Sequence, residues 1–193
     1  MGNLLNNIYR VLIWLRRIAY CRGFGVQSPS DYSFVRYVIN EHWPYYAYAD
    51  LSHEFPEAKG ELLRVAQLYF RISNFCQADT IVDTAPVNDI FTRYLHEGCH
   101  HSQFVNSIDS GHNFQLARLN ILVSEWTEVD FLLSHADNQA VLLMEGIHKN
   151  PTAKRCWRRV VDDARTGVCF DLYDVGIVFF DKKRYKHCYT INF

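Results

Sequence analysis

No stretch of the sequence holds the roughly 20 consecutive apolar residues that a membrane-spanning helix requires. The longest apolar run near the N-terminus is VLIWL, residues 11–15. That N-terminus also lacks the layout of a secretory signal, because its arginines flank and follow the apolar part. MGNLLN lacks the Ser or Thr at position 6 that myristoylation favours. A charge excess is missing too: 20 Lys+Arg against 21 Asp+Glu leave a net charge of −1. This excludes a broad nucleic-acid-binding surface, since neutralising phosphates needs a basic excess. Six cysteines (Cys21, Cys76, Cys99, Cys156, Cys169, Cys188) are scattered with no CxxC pair. Several sit in apolar runs, as in GVCFDLY, where a free Cys behaves as a small hydrophobe. They read as reduced thiols of a cytoplasmic protein. Neither a GxSxG elbow nor a Walker sequence occurs.

What is present is aromatic and locally basic. Aromatic residues make up 15% of the chain, and Arg10, Arg16, Arg17 and Arg22 all precede the first acid, Asp31. Leu5, Ile8, Leu12, Leu15 and Ala19 recur at helical spacing. The reading taken is a surface helix that packs this stripe on the domain, in preference to a helix lying on a membrane. A second helix follows the turn-rich CRGFGVQSPS, with Ser30 as its cap and Phe34, Val35 and Val38 facing inward. WPYYAYADLSHEFPEAKG reads as an aromatic loop, and GELLRVAQLYFRISNFC as an amphipathic helix. Residues 1–58 are thus expected to form a helical extension with an aromatic loop, and residues 59–193 an α/β domain. The partner is not indicated by the sequence. The basic helix and the aromatic loop are the two surfaces open to a protein partner.

From Thr80 the pattern alternates. TIVDT reads as a strand, NDIFTRYLHEG as a helix closed by Gly98, SQFVNSID as a second strand and HNFQLARLNILVSEW as a helix. EVDFLLSH and QAVLLMEG are two further strand candidates. NPTAKRCWRRVVDDAR is a helix capped by Asn150 with Pro151 at its first position. GVCFDLY, VGIVFFD and HCYTINF form a β-rich tail whose short turns forbid an all-parallel arrangement. The alternation predicts an α/β sheet with helices on both faces, mainly parallel with an antiparallel C-terminal edge.

Several segments, taken in order, resemble a group of bacterial class I S-adenosylmethionine (SAM)-dependent methyltransferases. FGVQSPS (24–30) resembles their HGVHSPF-type motif, and LYFRISNF (68–75) a helix of the LLFRLVNYF type. MEGIHKN (144–150) is similar to their FDDIHWS-like segment, Trp157 falls in a Trp-bearing helix, and FDLYDVGIVFF (170–180) resembles their C-terminal strands. The resemblance implies a Rossmann-like class I methyltransferase fold with a helical N-terminal extension. It also implies a cofactor site on the TIVDTAPVNDIF segment, with Asp83 at the acidic place and Ala85 and Asp89 where the glycines of a cofactor turn would stand. Glycine serves there because φ is positive or a ligand lies against the backbone, and Pro86 between them removes an amide donor. Asp109 matches the acid that receives ribose hydroxyls. Glu145 and His148 match the catalytic-side segment, with Gly146 in place of a second acid. One βα unit is missing, because only ADN separates EVDFLLSH from QAVLLMEG. The cofactor is therefore SAM or none. The favoured reading is a shortened, degenerate member with a binding or scaffold role, and the alternative is a divergent active methyltransferase. No metal site is expected: CHHS (99–102) has no second ligand pair and reads as a polar loop.

Overall fold

The computed structural model describes residues 2–107 and 112–193. Helix α1 (Gly2–Arg17) leads into a 3-10 segment, Ile18–Gly23, and then α2 (Pro29–Phe34), which continues as a π-helical turn at Val35–Ile39. The cap of α2 is Ser28, whose hydroxyl accepts the Asp31 amide at 3.4 Å, and not the expected Ser30. Pro29 takes the first helical position, where a missing N–H costs nothing, so the residue before it must cap. The aromatic stretch expected as a loop contains α3 (Ala47–Glu54). Tyr45 and Tyr48 pack on Phe70 of α4 (Gly60–Cys76), with ring centroids 5.0 and 5.2 Å apart.

The rest of the chain runs β1 (Thr80–Asp83), α5 (Asp89–Gly98), β2 (Gln103–Val105), β3 (Phe114–Asn120), α6 (Trp126–Ser134) and β4 (Ala136–Glu145). It ends with α7 (Pro151–Asp162), β5 (Cys169–Asp171), β6 (Val175–Phe179) and β7 (Cys188–Thr190). The seven strands form one sheet in the order β2-β1-β3-β4-β6-β5-β7. β2, β1, β3 and β4 are mutually parallel, β6 runs antiparallel to both β4 and β5, and β7 pairs parallel with β5. This is the expected Rossmann-like class, with its antiparallel element in the C-terminal part.

Two assignments made from sequence are corrected. HNFQLARLNILVSEW holds strand β3, and EVDFLLSH belongs to helix α6, which buries Val129, Leu132 and Leu133 at i, i+3, i+4 spacing. The crossover from β3 to β4 is therefore complete. β2 and β3, on either side of β1, are separated by eight residues in sequence, of which 108–111 lie outside the described residues.

Side chains alternate across the sheet with the period of two that pleating imposes. Ile81, Leu116, Val141, Leu143 and Ile177 pack under α4 and α5 with Phe34, Val38 and Leu51 of the N-terminal helices. Val82, Ala117, Leu142, Met144 and Val178 face α6 and α7, where Trp157 and Val160 lie.

Helix α1 sits against the C-terminal part of the chain, but not by Leu12 and Leu15 of the expected stripe; the side chains of Leu5 and Ile8 lie outside the described residues. Arg10 pairs with Glu61 and, at 2.6 Å, with Asp174; Arg17 reaches Asp171 at 2.8 Å. Leu12 and Leu15, expected to pack inward, are half exposed, because the carboxylates on β5 and the following turn attract the opposite side of the helix. Among the described residues, no helix is long and apolar enough to cross a membrane.

Candidate functional site

β1, β3 and β4 end at one edge of the sheet, and their last inward-facing positions carry charge. Asp83 pairs in register with Arg118, and Glu145 lies two residues beyond Leu143, the partner of Arg118 on the other side. By the pleat these three share the face of Ile81, Leu116 and Leu143, beneath α4 and α5. Arg118 is 1% exposed. Its Nε donates to Asp83 Oδ1 at 2.9 Å, one terminal nitrogen to Glu145 Oε1 at 3.0 Å, and the other to the Pro86 carbonyl at 3.2 Å. Tyr69 of α4 donates its hydroxyl to Glu145 Oε1 at 2.9 Å, and Asn120 approaches Oε2 at 3.4 Å. The guanidinium lies 5.4 Å from the Phe91 ring centre, and Phe91 meets Tyr69 edge-on at 5.0 Å. Burial raises the Glu145 carboxyl above its usual range, opposed by Arg118 and the Tyr69 hydrogen bond. Burial would lower the pKa of Arg118, but Glu145 and Asp83 together carry it upward. Burial also pushes the Tyr69 phenol well up.

The turn after β1 is built without glycine. Among the described residues the only non-glycine residues with positive φ are Gln77 and Tyr173, so Ala85, Pro86 and Asp89 keep ordinary backbone. Thr84 donates its amide to the Arg118 carbonyl at 3.0 Å. Asn88 caps α5, accepting the Phe91 amide at 3.1 Å. Asp89 opens that helix, where a carboxylate suits the positive end of the dipole. Asp109 lies outside the described residues. Gly146, in place of a second acid, has φ +78° and sits directly under Leu122, so the turn after β4 needs glycine.

His148 is not brought to Glu145. Its Nε2 lies 2.6 Å from Asp171 Oδ2, and its ring stacks on Tyr173 at 5.1 Å. Asp171 is held by Arg17 as well. Burial would raise the Asp171 carboxyl, yet the hydrogen bond from His148 and the Arg17 charge outweigh it and keep it below the usual range. An ionised carboxylate only accepts, so Nε2 of His148 bears the proton in this pair.

No family model and no curated protein matches the sequence. Solved structures do match. The SAH-bound Podospora anserina methyltransferase PaMTH1 is similar with a TM-score of 0.53 at 8% identity, over 80% of this chain and 96% of that one. The fold is methyltransferase-like. Cofactor-bound Rv0187 from MTB gives a TM-score of 0.48 at 9% identity, over 79% of this chain and 97% of that one.

Open α/β sheets take ligands outside the carboxyl ends of their strands, which is where Arg118 lies. The cavity beside it measures about 260 Å³ and is lined by Leu62, Val65, Phe91, Asn120 and Glu145, among others. A larger cavity of about 640 Å³ opens at the opposite, amino edge, near Gln115, Asp137 and Arg184. It is remote from every site residue, so its size says nothing about the strand-end site.

Two features of the chain are not apparent from its local patterns. Arg118 was hidden in a segment read as a helix; the signal for it was a pair of strand-end acids, Asp83 and Glu145, with no cation assigned. The second is HEGCH, residues 96–100, which spells the HExxH of zinc peptidases. That motif needs both histidines on one helical face, and α5 ends at Gly98, between them. Glu97 pairs instead with Arg93 and approaches His100. Among the described residues, no group of three His, Cys, Asp or Glu could hold a metal.

Proposed function

We propose that this chain is a methyltransferase-fold protein whose SAM site is degenerate, serving as a binding or scaffold module and transferring no methyl group. The observation that carries the reading is the Arg118 guanidinium, buried between Asp83 and Glu145 and bonded to the Pro86 carbonyl. A sulfonium cofactor is a cation, and a fixed guanidinium at the strand ends repels it while consuming the acids that would attract it. The turn after β1 offers a proline without an N–H and a carbonyl already taken, where a cofactor turn offers free amides. The adjoining cavity, about 260 Å³, also falls below the roughly 300–1,000 Å³ of sites that enclose drug-sized ligands. A residual cofactor contact would use Asp83, Ala85, Asp89 and Asp109, and Glu145 and His148 would have structural duties in place of catalysis.

Calorimetric titration of the full chain with SAM and with S-adenosylhomocysteine tests this. The expected result is no heat of binding at millimolar ligand. A micromolar dissociation constant that disappears in Asp109→Ala, with the fold retained, would overturn it in favour of a divergent active enzyme.

A further inference from the structure

Among the described residues, helix α1 turns its arginines and Ile13 toward the domain and its other aliphatic side chains away from it. Its polar side holds the domain through Arg10 and Arg17, and Asn192 donates its side-chain amide to the Trp14 carbonyl at 3.3 Å. Its apolar side faces away: Val11 is 56% exposed, Leu12 53%, Leu15 51% and Ile18 51%. Val11 and Leu15 stand at i, i+4 on one helical stripe, which Ile18 continues into the 3-10 segment. Single apolar residues on a surface need no explanation, whereas a contiguous stripe marks a surface that something covers.

We propose that this face lies in the surface of an anionic lipid bilayer. Charge is the first argument. The first 30 residues contain no acid; of their arginines, Arg10 and Arg17 are spent on the domain's carboxylates, while Arg16 is exposed, with no ion pair among the described residues. A cation beside an aliphatic stripe fits a headgroup layer carrying negative charge. Residue type is the second. Trp14 and Tyr20, both nearly half exposed, flank the stripe, and Phe24 beyond it is 81% exposed. Indole and phenol groups favour the depth of the headgroups. Orientation is the third: Glu61, Asp171 and Asp174 hold the polar side of α1, so the domain stands behind the helix and the helix lies flat.

The test is flotation of the full chain with vesicles of phosphatidylcholine alone and of phosphatidylcholine mixed with phosphatidylglycerol. The expected result is binding to the mixed vesicles, weakened by salt, with little on the zwitterionic ones. Leu12→Glu with Leu15→Glu should reduce binding at least about tenfold, and Arg16→Glu about fivefold. Both leave the melting temperature nearly unchanged, since these side chains are already exposed. Absence of vesicle binding would overturn the proposal, as would equal binding to both vesicle types. A sedimenting dimer dispersed by the Leu12→Glu, Leu15→Glu variant would identify the face as a self-association surface instead. None of these outcomes depends on the state of the strand-end site.

Discussion

Replacing Arg118 with Met tests whether one buried cation holds the strand ends together. Methionine fills a comparable volume with no charge, so packing changes little and electrostatics dominate. Removing one partner of a buried ion pair costs about 3–5 kcal/mol. Here a single guanidinium, 1% exposed, serves two carboxylates and a carbonyl, which places the loss in the upper part of that range. In a chain of this length, that loss lowers Tm by about 8–20 °C. The loss should also depend on pH. Glu145 already has a raised pKa, so its contribution is present below its unfolded value and lost as pH rises through its folded value. Without Arg118 the carboxyl rises further, and the deficit of the variant is greatest at neutral pH. Urea denaturation of both proteins at pH 7 and pH 5 measures it. The gap should be several kcal/mol at the higher pH and clearly smaller at the lower. A gap under about 1 kcal/mol at pH 7, or one that ignores pH, would refute the placement of the guanidinium between these acids.

Asp171→Asn should loosen the seat of α1. Asp171 is held below the usual carboxylate range, so its contribution is present above the ordinary value and lost as pH falls through the lower folded one. The variant should lose that acid-side slope, cost about 1–3 kcal/mol at neutral pH, and be cut faster by trypsin after Arg16 and Arg17. Gly98→Ala should destabilise by about 1–3 kcal/mol in thermal denaturation. A Cβ at Gly98 would strike the Phe70 carbonyl and the Ser73 side chain of α4, both on a rigid helix.

The elements that could be read from the sequence are those whose local chemistry agrees with their final surroundings. Asn150 before Pro151 marks the start of α7, and the continuous apolar runs AVLLM and VGIVF mark strands buried on both faces. β3 was unreadable because Arg118, a charge, occupies the centre of a sheet, and only partners 35 and 27 residues away make that tolerable. α6 reads as a strand because FLL is short and its helical period rests on Val129, Leu132 and Leu133 alone. Gly98 does end α5, but with ordinary φ: glycine is needed there for the close approach of α4, not for a left-handed cap. At the site, Asp83 and Glu145 were identifiable as strand-end acids. Their joint neutralisation by Arg118 depends on strand order, which no local pattern encodes. The resemblance of MEGIHKN to a catalytic-side segment joins His148 with Glu145, whereas the turn at Gly146 directs His148 to Asp171.

The attachment of α1 has a consequence for the order of events on the ribosome. Arg17 and its anchor Asp171 are separated by 154 residues. At roughly 5–20 residues per second, the first helix waits about 8–30 s before that anchor is synthesised. Throughout that interval it is a nascent cationic segment with an uncovered aliphatic stripe, available to any surface near the exit tunnel. Whatever meets the stripe first does so before the domain exists to carry it there.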